Sequence, residues 1–280
     1  MTYSAEISRS KPTCFVFLID QSGSMADPIM GRKGNPEKAA FIADSINRIL
    51  RILVTMSSKD DGIRDYFDIA AIGYGSHIGS ILDFIDPAKK VFPISAIANS
   101  PKRIEDRKIK ESDGAGGVIE VNTKFPIWIE TISEGGTPMR QGLEMAHEIL
   151  VDWVATHPDS YPPTIINLSD GEATDGNPLD IAQQIKGLST NDGEVIFFSI
   201  HVSSHSHSTP IKYPSSEEEL PDDPSKLMFK MSSPLTPNML ADAGEKALDT
   251  SDGAKCMVYH GDIEDVINAL EIGTRPANLR

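Results

Sequence analysis

TCFVFLIDQSGSM, Thr13 to Met25, joins an unbroken apolar run to a turn made of one carboxylate, one amide and two hydroxyls. The run Cys14 to Ile19 shows no polar alternation, the pattern of a strand covered on both faces rather than one with a wet side. Phe67 to Tyr74, Thr164 to Leu168, Val195 to Ile200 and Cys256 to Tyr259 are likewise short and rich in β-branched or aromatic residues, and several of them read as continuous apolar runs. Between these runs lie segments with apolar residues three or four apart. Asn35 followed by Pro36 predicts a helix start, with Ala39, Ile42, Ile46, Ile49, Leu50 and Leu53 on one face. Thr137-Pro138 opens a second helix on Met139, Leu143, Ala146, Leu150 and Trp153. Asn177-Pro178 opens a third on Ile181, Ile185 and Leu188, and Thr236-Pro237 a fourth. A last helix is expected from Asp262, using Ile263, Val266, Ile267 and Leu270, with Gly273 past its end. Strands alternating with such helices predict an α/β fold: a doubly wound, mostly parallel central sheet flanked by helices.

Two stretches break the alternation. Residues 101–130 carry charged flanks around Asp113-Gly114-Ala115-Gly116-Gly117, and Arg103 to Lys110 can pair with Val118 to Lys124 as a protruding hairpin. Residues 203–234 are rich in Ser, Pro and acid and read as a long surface loop. With these as insertions, residues 13–272 read as one domain.

The 280 residues include 41 acidic and 26 basic side chains, a formal charge of −15. Such a surface repels a phosphate backbone, and no basic run is interleaved with aromatics, so nucleic acid is not expected as a partner. Neither an apolar leader near Met1 nor a run of about 18 apolar residues is present, so neither export nor a membrane span is expected. The only cysteines, Cys14 and Cys256, sit in apolar runs without C-x-x-C spacing, which points to a reducing, cytoplasmic setting.

In an open parallel sheet, ligands bind beyond the carboxyl ends of the strands. The first strand runs into Asp20-Gln21-Ser22-Gly23-Ser24, Thr164 to Leu168 runs into Ser169-Asp170-Gly171, and Gly135-Gly136-Thr137-Pro138 opens a helix. All three turns are therefore expected at one edge. Taken singly, each residue has a plainer role: Ser22 and Ser24 as turn caps, Thr137 as a helix cap, Asp170 as the start of an Asx-turn. Taken together, Asp20, Ser22, Ser24, Thr137 and Asp170 form an oxygen-only set without His or Cys, which suits Mg²⁺ or Mn²⁺ rather than zinc. Where neutral hydroxyls are the direct ligands, the ion keeps much of its charge and attracts a further anionic oxygen, so the site would dock a carboxylate.

Asp20-x-Ser22-x-Ser24 after an apolar strand, then Gly-Gly-Thr-Pro, then a strand ending in Ser-Asp-Gly resembles the von Willebrand factor A (VWA) domain and its metal-ion-dependent adhesion site, over roughly Thr13 to Ile272. The resemblance implies a Rossmann-like fold in which Ser22 and Ser24 bind the ion directly and Thr137 does so in the ligand-competent state. It implies that Asp20 and Asp170 act directly or through waters. All five motif positions are intact. The short Gly-Gly-Thr-Pro-Met turn is similar to intracellular prokaryotic-type members, which often work with AAA+ ATPases or kinase and phosphatase partners. The expected function is thus a protein-interaction module completed by a partner's Glu or Asp, with no catalysis. The competing reading is a Mg²⁺-dependent phosphoryl-transfer hydrolase with Asp20 as nucleophile, but the acid/base carboxylate such chemistry needs two residues later is Ser22. Asp27, His205, His207 and the acidic run Glu217 to Asp223 read as solvated loop residues.

Overall fold

A computed structural model of the chain describes residues 3–30, 34–112, 118–204, 209–245, 250–261 and 268. The elements follow in the order β1 (Thr13–Asp20), α1 (Lys38–Ser57), β2 (Phe67–Tyr74), β3 (Ile78–Ser80), β4 (Phe92–Pro93), α2 (Ile94–Asn99), β5 (Arg103–Ser112), β6 (Val118–Ile127), α3 (Met139–Thr156), β7 (Thr164–Ser169), α4 (Leu179–Gly187), β8 (Ile196–His201), β9 (Ile211–Lys212), α5 (Asp223–Met231), α6 (Pro237–Glu245) and β10 (Met257–Tyr259), with short turns and two-residue ladders between them. The central sheet has eight strands in the order β9-β10-β8-β7-β1-β2-β3, with β4 also paired to β2. The five inner strands are parallel, and β3, β4 and β9 are antiparallel at the edges. This is the α/β architecture expected.

The absence of alternation in β1 has a direct cause. Phe15, Phe17 and Ile19 pack in one core with Ile42, Ile46 and Leu50 of α1. Cys14, Val16 and Leu18 pack in the other with Met139, Leu143 and Leu150 of α3. Both faces are dry, so every position must be apolar. From β1 the chain winds to β2 on one side, while β7 lies on the other and leads outward to β8 and β10. The winding therefore reverses between β1 and β7, and at the carboxyl ends of these two strands a crevice opens.

Several local expectations are corrected. Helix α1 starts at Lys38, not at Pro36, because Asn35 takes a left-handed backbone at φ 40 and Pro28 bridges Glu37 in antiparallel fashion. That bridge holds Pro36 outside the helix. Thr137 is not the cap of α3. Its N-cap is Pro138, and the orphan N–H groups of Arg140 and Gln141 donate instead to the Asp175 carboxylate at 3.1 and 2.9 Å. The predicted hairpin forms, with Arg103 opposite Ile127 and Ser112 opposite Val118. It does not simply protrude: Phe125, Ile127, Trp128 and Ile129 are buried, and Phe125 lies with Arg107 against Arg51 of α1.

Residues 203–234 are not a surface loop. They supply β9 and α5, and Met228, Phe229 and Met231 of α5 are buried against the sheet. Asp222 caps α5 by accepting from Ser225 N–H at 2.8 Å, and Pro224 sits in its first turn. The chain ahead of Thr13 is also fastened, since the Asp192 carboxylate accepts from the N–H groups of Ser4 and Ala5, both at 2.9 Å. The helix expected from Asp262, the turn at residues 113–117, and His205 and His207 lie outside the described residues. No helix among the described residues is long and apolar enough to cross a membrane.

Candidate functional site

The site grows from the last residue of β1. Asp20 is 1 % exposed, and both its oxygens accept hydrogen bonds: Oδ1 from Ser22 N–H at 2.9 Å and Oδ2 from the Ser169 hydroxyl at 2.6 Å. The first bond folds the loop back over the strand end, and the second ties β1 to β7. Burial pushes the Asp20 carboxyl up to about 6, against the opposing pull of the Ser169 and Ser22 hydrogen bonds; the neighbouring Asp170 charge raises it further.

From Ser22 the chain of contacts continues outward. The hydroxyls of Ser22 and Ser24 lie 3.1 Å apart, and Ser24 donates to Asp170 Oδ2 at 2.7 Å. That same oxygen accepts from Lys38 Nζ at 3.1 Å. Asp170 Oδ1 is buried and has no hydrogen-bond partner among the described residues. A buried carboxylate oxygen without a donor is costly, and a cation is the partner that would satisfy it.

The Thr137 loop is held against the Ser22 loop by backbone. Gly23 N–H donates to Gly135 C=O at 2.9 Å, and Glu134 N–H donates to Gln21 C=O at 2.6 Å. Gly135 has φ +84, and a side chain there would meet Ser76 N at 2.6 Å; one at Gly75 would meet Gln21 C=O at 2.6 Å. Glycine is the residue that permits this approach. Two bonds at 2.9 Å join Thr137 to the loop after Asp170, one from Thr137 N–H to Thr174 Oγ1 and one from Thr174 N–H to Thr137 C=O. Asp20, Ser22, Ser24 and Asp170 are thus linked in one chain, Asp20 through the Ser22 N–H and the rest through side chains, whereas Thr137, 4 % exposed, is bonded through its backbone to Thr174; no hydrogen bond links its hydroxyl to the other four among the described residues.

Four further residues belong here that the sequence reading did not single out. Ser169 positions Asp20, Thr174 fastens Thr137, and Lys38 reaches in from the first turn of α1. His201, at the end of β8, is buried, stacks on Tyr259 at 4.8 Å, and has neither ring nitrogen hydrogen-bonded among the described residues. Burial holds its imidazole well below the usual value, and the Asp222 and Asp170 charges only partly oppose this. Ser24, Lys38, Asp170, Glu172, His201 and Asp222 line an open cleft of about 530 Å³. Asp27 stands at its rim, exposed as expected, 3.8 Å from Lys38.

The donor set fits a hard divalent ion in type, since it consists of hydroxyl and carboxylate oxygens around one unpartnered carboxylate atom. No group of three or more His, Cys, Asp and Glu side chains among the described residues is arranged to hold a metal. Two aspartates and neutral hydroxyls are what this site offers.

No protein-family model matches the chain, and no curated protein does. Solved structures similar to it include the manganese-loaded TRAP protein of Plasmodium vivax, at 13 % identity over 96 % of this chain and 76 % of that one, with a TM-score of 0.47. Others are the PilB minor pilin of Streptococcus sanguinis, at 12 % identity over 94 % of this chain with a TM-score of 0.44, and the vWF domain of the type V pili tip protein Mfa5 of Porphyromonas gingivalis, at 19 % over 58 % with a TM-score of 0.33. The chain spans 61 % and 39 % of the lengths of these last two.

Proposed function

We propose that this chain is a metal-dependent protein-interaction module of the VWA type, resembling intracellular members of that family, in which a divalent ion, Mg²⁺ or Mn²⁺, accepts a Glu or Asp from a protein partner. Ser22, Ser24 and Thr137 would hold the ion through hydroxyls, with Asp20 and Asp170 acting directly or through water. When bound, such an ion supplies an electrophilic point for an anionic oxygen. The observation that supports the reading is the hydrogen-bonded chain Asp20, Ser22, Ser24, Asp170 beside the unpartnered Asp170 Oδ1 at the reversal between β1 and β7, with the Thr137 loop bonded through its backbone to the two loops that flank it. The chain's own contribution is pre-arrangement: Ser169 and the Ser22 N–H fix Asp20, and the Gly23 to Gly135 bond sets the two hydroxyl loops against each other.

The hydrolase reading is less well supported. Asp20 is 1 % exposed and each of its oxygens already accepts a protein hydrogen bond, so its access to a phosphorus atom is restricted, and the acid/base position two residues on is Ser22. We propose a cytoplasmic role as an adaptor for an AAA+ ATPase or a kinase and phosphatase system, supported by the family resemblance alone.

Calorimetric titration with Mn²⁺ tests the reading. Binding by the wild type, lost in Ser22→Ala and in Asp170→Ala, is expected, together with release of any captured partner by EDTA and no turnover of a phosphate ester. A partner that stays bound in chelator, or ester turnover abolished by Asp20→Asn, would overturn it.

A further inference from the structure

The ammonium of Lys38 stands inside the oxygen cluster. Its side chain is 4 % exposed, Nζ lies 3.1 Å from Asp170 Oδ2, and the next acid, Asp27 at 3.8 Å, is itself 61 % exposed. Lys38 is also the first residue of α1, a twenty-residue helix, with its N–H donating to Asp27 C=O at 3.0 Å. At that end the helix dipole favours an anion, so a buried cation there goes against the local electrostatics. Burying an ammonium is tolerated only with a close counter-charge. Asp170 is that counter-charge, and the same oxygen also takes the Ser24 hydroxyl.

We propose that Lys38 is a resident cation of the site, which holds Asp170 when no divalent ion is bound and competes with the ion for that carboxylate. The proposal rests on the metal-site reading above. Asp20 and Asp170 together offset the formal charge of a divalent ion, so the pull on a partner's acid would otherwise rest on the ion's open coordination position alone. With the ammonium present, the loaded site keeps one positive charge, which a partner carboxylate then cancels. Lys38 therefore weakens the ion and strengthens the demand for the acid, and a merely structural lysine would not act in opposite directions on the two. The inverse pairing also separates it from a residue that helps to bind metal.

The test uses the full chain, stripped with EDTA, as wild type, Lys38→Met and Lys38→Gln. Mn²⁺ affinity is read by calorimetry and melting temperature by calorimetry in EDTA. Lys38→Met is expected to bind Mn²⁺ about tenfold or more tighter than wild type, while melting lower in EDTA. Lys38→Gln, which keeps an N–H donor for Asp170 without the charge, is expected to bind tighter as well. Unchanged or weaker Mn²⁺ binding in the folded variants, with binding by the wild type, overturns this proposal and leaves the metal site standing. Absence of Mn²⁺ binding in all three proteins overturns both. Binding by the variants alone supports the lysine as the block. If both variants fold only when Mn²⁺ is added, the proposal is supported; if they fail to fold with or without it, it is overturned.

Discussion

Ser169 shows how much of a site can hang on one hydroxyl. It donates to Asp20 at 2.6 Å and accepts from Gly171 N–H at 2.9 Å, so one side chain fixes a carboxylate and the turn that carries Asp170. Ser169→Ala is expected to cost about 1–3 kcal/mol in a denaturant titration, and to push the Asp20 carboxyl still higher, because it removes the donor that favours the ionised form. His201 gives a pH dependence of known sign. Its folded-state value lies below the ordinary one, so across that interval the unfolded chain binds a proton that the folded chain refuses. The His201 contribution to stability should then fall by about 1–3 kcal/mol as the pH drops through and below the usual imidazole range, offset in part by Asp20, whose raised carboxyl takes up a proton in the folded chain over the same interval; His201→Phe should remove the unfavourable part and leave stability rising as the pH falls in thermal melts from pH 7 to 5. Asp20, Ser22, Ser24 and Asp170 stand in short motifs after apolar runs, and Thr137 in a Gly-Gly-Thr-Pro turn ahead of a helix, which is why the sequence singles them out as candidates. Ser169, Lys38, Thr174 and His201 were not, because their roles depend on which strand and helix ends meet, and no spacing along the chain encodes that.

At the scale of elements, Asn47 of α1 carries the clearest case. It is buried and fully satisfied, donating to Ala43 C=O and Ile129 C=O, each at 2.8 Å, and accepting from Trp128 N–H and Ile129 N–H at 2.8 and 3.0 Å. It thereby fixes the strand-to-loop segment that leads on to Glu134 and the site. Asn47→Ala leaves three backbone groups of that segment without partners and is expected to lower stability by about 2–4 kcal/mol in urea titration. The base of the hairpin is part of the core. Removing residues 101–130 takes away Phe125, Ile127, Trp128 and Ile129 and should unfold the protein, read as loss of its cooperative melt by circular dichroism. The basic side chains of this element are mostly engaged: Arg103 pairs with Glu105 and Glu130, and Arg107 pairs with Asp44 and Glu105. Helix α5 was hidden for a compositional reason. Its flanks are acidic and Ser-rich, and its apolar set, Met228, Phe229 and Met231, is brief, although Asp222 with Pro224 did mark its start.

For the whole molecule, the unbroken apolar strands decided the architecture and did so correctly, since only a sheet sandwiched between helices dries both faces of Phe67–Tyr74 and Thr164–Ser169. Strand order was not legible, and it is the order that locates the site, through the reversal between β1 and β7. If a divalent ion binds the folded chain alone, saturating Mn²⁺ at about 100 times its dissociation constant should stabilise it by about 2.7 kcal/mol, a rise of roughly 5–10 °C in melting temperature that EDTA reverses.

The double clasp between Thr137 and Thr174, and the Asp175 carboxylate bonded to the start of α3, have a mechanical consequence. A load applied at the crevice falls on loops that are buckled to one another, so the tension is divided between them rather than opening one. Behind those loops β1 and β7 run side by side in the same direction along the line of pull. Traction there loads a whole ladder of interstrand N–H···O=C bonds in shear at once, the geometry that resists tearing better than unzipping from an edge.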